Sequence, residues 1–418
     1  MTDAMPLAPG GPKLRLLSLF SGAGGMDVGL ELAGFEPVAC LEINKVAQET
    51  LRLNRPDWPV WENGDVVSAA RSMTPGDFGL EPGELDLIAG GPPCQPFSTA
   101  GQWSANGRLG MEDTRANTVH ALLDIFERFR PRAVLLENVQ GFLSGPSSAL
   151  PEIERRVADV NSRYGTSYTL HWLIVNAADY GVPQNRKRAI TVIAESSISW
   201  KWPEPSHVAN PVTAWDALSD LQESNESLPL PQGKWATLLA SIPEGHNYQW
   251  LTSEGGGEEL FGYRTRYWNF LLKLAKDRPS WTLPASPGPS AGPFHWDNRP
   301  LSVRERMRLQ SFPDYWELAG GFRDQVKLVG NATPPLLAEI VGGRISESLG
   351  VTAGNPNASL SIQPSLTEPG VAAHANLPEE FRHLVGRKAA HGGTGKGPAP
   401  KPSGKSESQV GDEQKRTT

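Results

Sequence analysis

Short apolar runs alternate with stretches of helical spacing over the first half of the chain. The apolar runs predict buried β-strands at residues 14–20, 38–43, 85–89, 131–138, 168–175 and 189–194, with a short additional strand just before Gly64. Apolar side chains at helical spacing predict helices at residues 26–35, 45–53, 117–129 and 150–164. Strands that alternate with helices in this way are typical of βαβ units. The pattern therefore predicts an α/β fold with a mostly parallel, Rossmann-like sheet and helices on both of its faces.

The pattern changes after residue 194 and divides the chain into regions. Residues 195–298 are rich in Trp, Pro, Gly and Ser and lack clean periodicity, so we expect a smaller, irregular domain there. Helical spacing returns at 302–310 and 334–349, within a segment, 299–349, that we expect to return to the first domain, 13–194. We expect residues 1–12 to form a flexible arm. Residues 350–418 are expected to be a low-complexity, largely disordered tail with one short helix at 376–385.

Charge and cysteine content narrow the class of protein. The 418 residues carry a formal net charge of -7, so the whole chain is not a basic nucleic-acid coat, although a local basic face can still bind phosphates. Two cysteines provide neither a disulfide framework nor a zinc site, which fits a reducing cytosol and predicts no metal. The sequence shows no signal-peptide pattern and no apolar run of about 18 residues. We therefore expect a cytoplasmic protein with no membrane segment.

One of the two cysteines lies in an unusual turn. Cys94 follows the predicted strand at 85–89 through two glycines and two prolines, which force a sharp and stiff turn. In open α/β sheets, ligands bind outside the carboxyl ends of the strands. A lone cysteine is usually a small buried hydrophobe, and we interpret Cys40, within the strand at 38–43, in that way. The flanking residues of Cys94 favour a chemical role for its thiol.

Acidic residues follow two further predicted strands. Glu42 ends the second strand, where a carboxylate suits the hydroxyls of a ribose, and Asp65 follows the third, where it suits an adenine amino group. Each could instead be a helix N-cap or a loop carboxylate. The glycine-rich turn at 20–24 allows a ligand to approach the backbone closely, but Asp27 stands where the dinucleotide motif GxGxxG needs its last glycine. Together these features predict a bound nucleoside rather than NAD or FAD.

Two further groups could take part in proton transfer or charge stabilisation. Glu137 ends an apolar strand, so its carboxyl group should be partly desolvated, which suits a proton donor; the alternative is an N-cap or a solvent-facing turn. The basic run at 184–188 precedes another apolar strand, and its alternative is a solvated basic turn.

These elements, in this order, resemble the bacterial DNA (cytosine-5)-methyltransferase family, which uses S-adenosylmethionine. The resemblance covers residues 14–194 and 299–349. It rests on eight ordered motifs: the loop 20–24, Glu42, Gly64-Asp65, the Pro-Cys-Gln loop, Glu137-Asn138-Val139, residues 184–188, residues 299–313 and residues 330–335.

The resemblance implies a catalytic role for four residues. The Cys94 thiolate would add to carbon 6 of cytosine, which turns carbon 5 into a nucleophile for a sulfonium methyl group. Glu137 would supply a proton or hydrogen bond at ring nitrogen 3. Arg188 would stabilise charge near the ring oxygen, and Arg186 would brace the site. A water or hydroxide, rather than a side chain, would remove the proton from carbon 5.

The resemblance also implies where the ligands bind. The residues expected to hold S-adenosylmethionine are Phe20, Ser21, Gly22, Gly24, Glu42, Ile43, Asp65, Val66, Pro92 and Asn331. The target cytosine would be flipped out of duplex DNA, assisted by a mobile loop at 95–113. Residues 195–298 would read the DNA sequence, with candidate contacts at 262–268 and 281–298, while His295 is expected to be structural. A cognate restriction endonuclease is a possible partner, and a monomer is expected.

Three other functions fit parts of the sequence. A tRNA cytosine methyltransferase would share the fold, although a recognition region of about 100 residues favours DNA. A catalytically silent DNA-binding regulator would not need Cys94, Glu137 and Arg188 together. An NAD-linked oxidoreductase is disfavoured by Asp27.

Overall fold

The computed structural model describes residues 13–95, 97, 111, 116–145, 147–221, 230–263, 267–351, 359–370 and 373–388. The predicted arm at 1–12, most of the predicted mobile loop at 95–113 and the last 30 residues of the predicted tail lie outside these ranges.

Six strands form one sheet, as the alternating pattern predicts. They are β1 (Leu14–Leu19), β2 (Phe35–Leu41), β3 (Leu87–Gly90), β4 (Ala133–Asn138), β5 (Tyr168–Asn176) and β7 (Lys187–Glu195), in the spatial order β2-β1-β3-β4-β7-β5. Strand β7 runs antiparallel to both of its neighbours, and the other pairs are parallel. Two-residue strands β6 (Gln184–Asn185) and β8 (Ser280–Trp281) pair separately. The predicted mostly parallel α/β fold is confirmed.

The prediction of a strand just before Gly64 is wrong. Only a single bridge, between Cys40 and Val60, extends the sheet at this point in the described residues. The surrounding residues, Trp58 to Trp61, include Pro59, which has no backbone N–H to donate to a ladder.

Nine helices are present in the described residues: α1 (Gly25–Leu32), α2 (Lys45–Asn54), α3 (Val66–Ser72), α4 (Asn117–Phe129), α5 (Leu150–Tyr164), α6 (Ala214–Leu218), α7 (Val303–Leu309), α8 (Phe322–Asn331) and α9 (Pro335–Ser348). The bounds of α4 and α5 match the prediction, because each has a clear apolar face. Helices α3, α6 and α8 were not predicted. No helix in this set is both long and apolar enough to cross a membrane.

Alternate side chains of each strand face opposite layers of helices. Leu17 and Leu19 of β1 pack into a core with α3, α4 and α5, whereas Leu14 and Leu16 pack into a second core with α1 and α9. Helix α9 lies so close to α1 that a Cβ on Gly29 would stand 2.3 Å from the Pro335 carbonyl oxygen. Helix α9 therefore packs directly on α1, while the assignment of segment 299–349 to the first domain stays a prediction.

The irregular region has a core of its own. Trp235, Tyr248 and Phe261 are central members of a buried cluster that also includes Leu377 and Phe381 from the predicted tail. The rings of Trp235 and Phe381 stack with centroids 5.5 Å apart. The helix Glu379–Leu384 lies within the short helix predicted at 376–385, but the prediction of a largely disordered tail did not include its packing against this core. The remaining domain boundaries stay predictions.

Candidate active site

A cavity of about 310 Å³ opens at the edge of the sheet where β1, β2, β3 and β4 end. Its walls come from the loops after these strands, from the start of β7 and from the junction of α8 and α9. Because β7 runs in the opposite direction, its first residues lie at the same edge as the last residues of β4. Residues of six predicted motifs meet here, among them Cys94, Glu137, Arg186, Arg188, Phe20, Ser21, Gly22, Glu42, Ile43, Pro92 and Asn331.

The Cys94 turn is held against the end of β4. The side-chain amide of Asn138 donates to the Pro92 carbonyl oxygen at 2.8 Å, and the Phe97 N–H donates to the Cys94 carbonyl oxygen at 3.0 Å. A Cβ on Gly91 would lie 3.3 Å from the Glu137 carbonyl oxygen, so glycine allows this close approach. Burial raises the pKa of the Cys94 thiol, and the positive charge of Arg188 partly offsets that rise. The half-buried thiol faces the cavity, whereas Cys40 is fully buried.

Glu137 and Arg188 form an ion pair beside the thiol. Arg188 Nε lies 2.6 Å from Glu137 Oε1, although the N–H bond does not point at that oxygen with regular hydrogen-bond geometry. Both side chains are largely buried. Arg188 Nη1 also donates to the Lys187 carbonyl oxygen at 2.7 Å. The interpretations of Glu137 as a solvent-facing residue and of the basic run as a solvated turn are therefore wrong.

Arg186 is buried and connects β7 to the chain between α8 and α9. Its Nη2 donates to the carbonyl oxygens of Gly330 at 3.0 Å and Ala332 at 2.8 Å. Its Nε and Nη1 have no hydrogen-bond partner. Burial, together with the nearby Arg188 charge, lowers the pKa of Arg186 to about 9. This arrangement fits the bracing role that the sequence predicts, because it fixes the wall that carries Asn331.

The other half of the cavity is built on the turn after β1. Phe20 has a left-handed backbone with φ of 59°, and Gly22 follows with φ of 57°. The Glu42 carboxylate accepts the N–H of Gly22 at 2.8 Å and of Asn44 at 2.7 Å, which fixes the turn relative to the end of β2. Ile43 is 67% exposed at the rim. Each carboxylate oxygen of Glu42 still has a lone pair for a ligand hydroxyl.

Three predicted ligand residues do not line this cavity. A Cβ on Gly24 would lie 2.6 Å from the ring of Trp316, so this glycine serves packing. Asp65 caps α3: its carboxylate accepts the Val67 N–H at 3.0 Å and the Ser68 hydroxyl at 2.6 Å. Val66 is buried in the core under α3. Their roles in ligand binding stay predictions.

The chain matches a known enzyme family over most of its length. The family model for the C-5 cytosine-specific DNA methylase matches residues 14–347. The chain belongs to this family. It is 33% identical over 373 residues to the type II methyltransferase M.SacI of Streptomyces achromogenes, an alignment that covers 81% of this chain and 94% of M.SacI. It is also 33% identical to M.NgoMIV of Neisseria gonorrhoeae, over 80% of this chain and 97% of that protein.

Solved structures share the fold at lower identity. A DNA modification methyltransferase encoded within an E. coli prophage superposes with a TM-score of 0.57 at 21% identity, covering 81% of this chain and all of that one. The Dnmt2 methyltransferase of S. pombe gives 0.53 at 19% identity, covering 81% and 99%. The predicted family and enzyme class are confirmed: this methylase is a DNA (cytosine-5-)-methyltransferase that requires a methyl donor and DNA. The oxidoreductase interpretation is wrong.

The predicted DNA-reading segment of the methylase is described only in part. Tyr263 and Trp268 are about half exposed, whereas residues 264–266 lie outside the described ranges. His295 is buried, and its Nε2 lies 3.4 Å from Glu305 Oε1, which Arg299 also contacts at 2.6 Å. This network links residues 295–299 to α7 and fits the structural role expected for His295.

Asp27 is a charged residue in the cavity wall of the methylase that none of the eight sequence motifs identifies as a site residue. Asp27 is only 1% exposed and lines the cavity from α1. The prediction used it only as a departure from GxGxxG. The sequence signal for Asp27 is a charged side chain between two apolar residues of a predicted helix. Met26 and Val28, its neighbours, are both buried.

Proposed function

We propose that the methylase transfers a methyl group from S-adenosylmethionine to carbon 5 of cytosine in a specific duplex DNA sequence, through base flipping and a covalent Cys94 adduct. The observation that carries this proposal is the convergence of Cys94, Glu137 and Arg188 in one cavity. That cavity continues into an acidic, glycine-rich pocket at the ends of β1 and β2, which suits a positively charged nucleoside.

The pocket fits the donor in charge and in shape. Glu42 would accept hydrogen bonds from the ribose hydroxyls. The backbone at Phe20 to Gly22 would contact the amino-acid end of the donor, because Gly22 has no side chain to block a close approach. Pro92, Ile43 and Asn331 would form the remaining walls. When bound, S-adenosylmethionine supplies an electrophilic methyl group on its sulfonium.

The chemistry of the protein residues begins at Cys94. Its thiol gives its proton to water, its sulfur pair forms a bond to carbon 6 of cytosine, and the carbon 5–carbon 6 π pair moves into the carbon 4–carbon 5 bond while the carbon 4–nitrogen 3 π pair moves onto nitrogen 3. Glu137, which is paired with Arg188 as a carboxylate, takes up a proton from water and passes it to ring nitrogen 3, so that the ring does not become an anion. Carbon 5 of this enamine then carries the nucleophilic pair that takes up the methyl group.

The basic residues stabilise the same charge. Arg188 lies next to both the thiol and Glu137, so its positive charge favours the thiolate and the electron-rich ring. Arg186 does not need to touch the substrate, because its bonds to Gly330 and Ala332 hold the wall in place. After methylation, water or hydroxide removes the carbon 5 proton, the sulfur–carbon 6 bond breaks, and the thiolate is regenerated.

Several finer assignments remain part of the proposal. Residues 95–113, which the sequence predicts to form a mobile loop, would close over the flipped base, and residues 195–298 would select the sequence. The similarity to named type II methyltransferases supports a restriction-modification role with a cognate endonuclease. We also propose a monomer located in the cytoplasm and associated with the nucleoid through DNA.

Two experiments test this function. Purified protein is given methyl-labelled S-adenosylmethionine with duplex DNA or with tRNA, and label is expected in DNA; label only in tRNA would support the RNA alternative. Sequencing of modified cytosines in cells that express the chain then gives the target site.

The adduct and the flip are tested on that site. A duplex with 5-fluorocytosine at the target, which has no carbon 5 proton to lose, should trap a denaturation-resistant complex at Cys94. Cys94→Ser should form none, while still binding DNA. A fluorescent 2-aminopurine at the target position should brighten on binding if the base is flipped; unchanged fluorescence would contradict flipping.

A further inference from the structure

Asp27 is a buried carboxylate whose only nearby side-chain hydrogen-bond donor is the Ser18 hydroxyl, which offsets its burial only in part. Neither carboxylate oxygen makes a hydrogen bond of regular geometry, and the residue is 1% exposed. An unpaired charge in such a position is strongly disfavoured, because burial removes its hydration without replacing it. The residue nevertheless lies in the wall of the donor cavity, near the hydroxyl groups of Ser18 and Ser21, which are 2.8 Å apart.

The groups around Asp27 offer no compensating positive charge. Glu31 on the same helix and Glu42 after β2 both oppose its ionisation, and Cys40 faces it from β2. The positive charge nearest to Glu31 is Arg55 of α2, which is bound to Glu31 itself at 2.8 Å. The Ser18 hydroxyl gives only a partial offset. Burial accordingly raises the pKa of Asp27 to about 7.

We propose that Asp27 is a titratable counter-charge for the cationic end of the methyl donor, largely neutral in the free protein at mildly acidic pH and ionised once the donor is bound. The inference rests on the proposed donor. S-adenosylmethionine brings a sulfonium and an ammonium group into the pocket. Asp27 in its wall has no protein cation beside it to balance a negative charge. The positive charge of the donor stabilises the carboxylate across a short, poorly hydrated space. Asp27 is therefore a positioning residue that selects for ligand charge.

The consequence is that donor binding releases a proton. At pH 6 about nine-tenths of Asp27 is protonated in the free protein, and at pH 7.5 about one quarter. If the carboxylate is ionised in the complex, the donor binds about eightfold more tightly at pH 7.5 than at pH 6. A ligand with the same nucleoside and sulfur but no positive charge should show neither effect.

Calorimetry on the full chain tests this coupling without relying on catalysis. S-adenosylmethionine is titrated at pH 6.0 and 7.5 in buffers with different ionisation enthalpies, which yields the number of protons released. We expect about 0.9 proton at pH 6.0 and about 0.2 at pH 7.5. Neutral 5′-methylthioadenosine should release almost none. Equal release by the two ligands would overturn the inference.

Variants locate the proton. Asp27→Asn keeps the side-chain shape and should remove the proton release and the pH dependence. Its donor affinity should be weaker than wild type at both pH values, by a factor that is about eightfold larger at pH 7.5 than at pH 6.0. Glu36→Gln, an exposed residue of β2 paired with Lys13, is the matched control and should behave like wild type. Undiminished proton release in Asp27→Asn would assign the proton elsewhere.

The two proposals fail in different ways. Donor binding without proton release in the wild-type protein would overturn the role of Asp27 alone. Absence of any donor binding would overturn the proposed donor and with it this inference. If Asp27→Asn does not fold, calorimetry on the wild-type protein still tests the inference, because donor binding without proton release would overturn it.

Discussion

The Nε of Arg188 lies 2.6 Å from Oε1 of Glu137, and the thiol of Cys94 shares their cavity. The two charges come from the end of β4 and the start of β7, strands that run in opposite directions. This pair places a cation where it can act on both the thiol and the proposed proton donor.

Glu137→Gln should separate chemistry from binding. The amide keeps the shape but cannot donate the acidic proton, so we expect the single-turnover rate of methyl transfer to fall by about 10²–10⁴. Affinity for target DNA, measured by fluorescence anisotropy, should change by less than about threefold. A variant that lost binding and rate in parallel would instead indicate a role in holding DNA.

Cys94 should react as a thiolate whose formation depends on Arg188. Because burial raises the pKa of Cys94, its alkylation by iodoacetamide should rise about tenfold per pH unit between pH 6 and 8. Arg188→Gln removes the charge that partly offsets this rise, so alkylation at pH 8 should become slower. Peptide mass spectrometry identifies the labelled residue.

Cys40 provides an internal control for that measurement. It is fully buried, and desolvation raises its pKa well above the ordinary value, so it should stay unlabelled in the folded protein. Labelling of Cys40 at the same rate as Cys94 would show that the reagent reports unfolding.

Two glycines test the contact between α1 and α9. A Cβ on Gly29 would stand 2.3 Å from the Pro335 carbonyl oxygen, so Gly29→Ala should lower the free energy of unfolding by about 1–3 kcal/mol. Gly343 lies on α9 with open space around it, so Gly343→Ala should raise that free energy by about 0.4–1 kcal/mol. Urea denaturation measures both, and equal effects would contradict the close packing.

Phe381 should matter to the recognition region and not to the donor site. Removing its ring leaves a cavity beside Trp235, so Phe381→Ala should destabilise that core by about 3–5 kcal/mol and weaken DNA binding. Donor affinity should stay close to wild type. Leu366→Ala, at a fully exposed position, is the matched control. Unchanged stability in Phe381→Ala would mean that the segment docks without supporting the core.

The sequence predicts those features that depend on a local pattern. Helix Asn117–Phe129 has its predicted bounds because its apolar stripe is continuous, and the strand ends carry Glu42 and Glu137 where parallel topology brings them together. Helix Phe322–Asn331 escapes prediction because its exposed Phe322 and polar first turn blur the spacing.

Long-range relations are beyond such patterns. The direction of β7, which brings Arg188 to Glu137, is not encoded in the spacing of its own residues. Nor can spacing show that Gly24 packs on Trp316, nearly 300 residues away, or that Asp27 has no protein cation beside it. Phe381 lies in a segment of low-complexity composition, yet its ring stacks on Trp235, and backbone hydrogen bonds such as that from the Ala375 N–H to the Ala240 carbonyl oxygen also dock the segment.

The packing of α9 on α1 has a consequence for synthesis on the ribosome. One face of the sheet, which α1 covers in part, is fully covered only when α9 has been made, about 150 residues after β7. At roughly 5–20 residues per second, the nascent sheet is exposed for on the order of ten seconds. During that interval Leu16 and Leu30 lack their contacts with α9, and Asn331, which forms part of the cavity wall, has not yet been made. The recognition region is therefore made before the donor pocket is complete, and chaperone engagement should concentrate in this window.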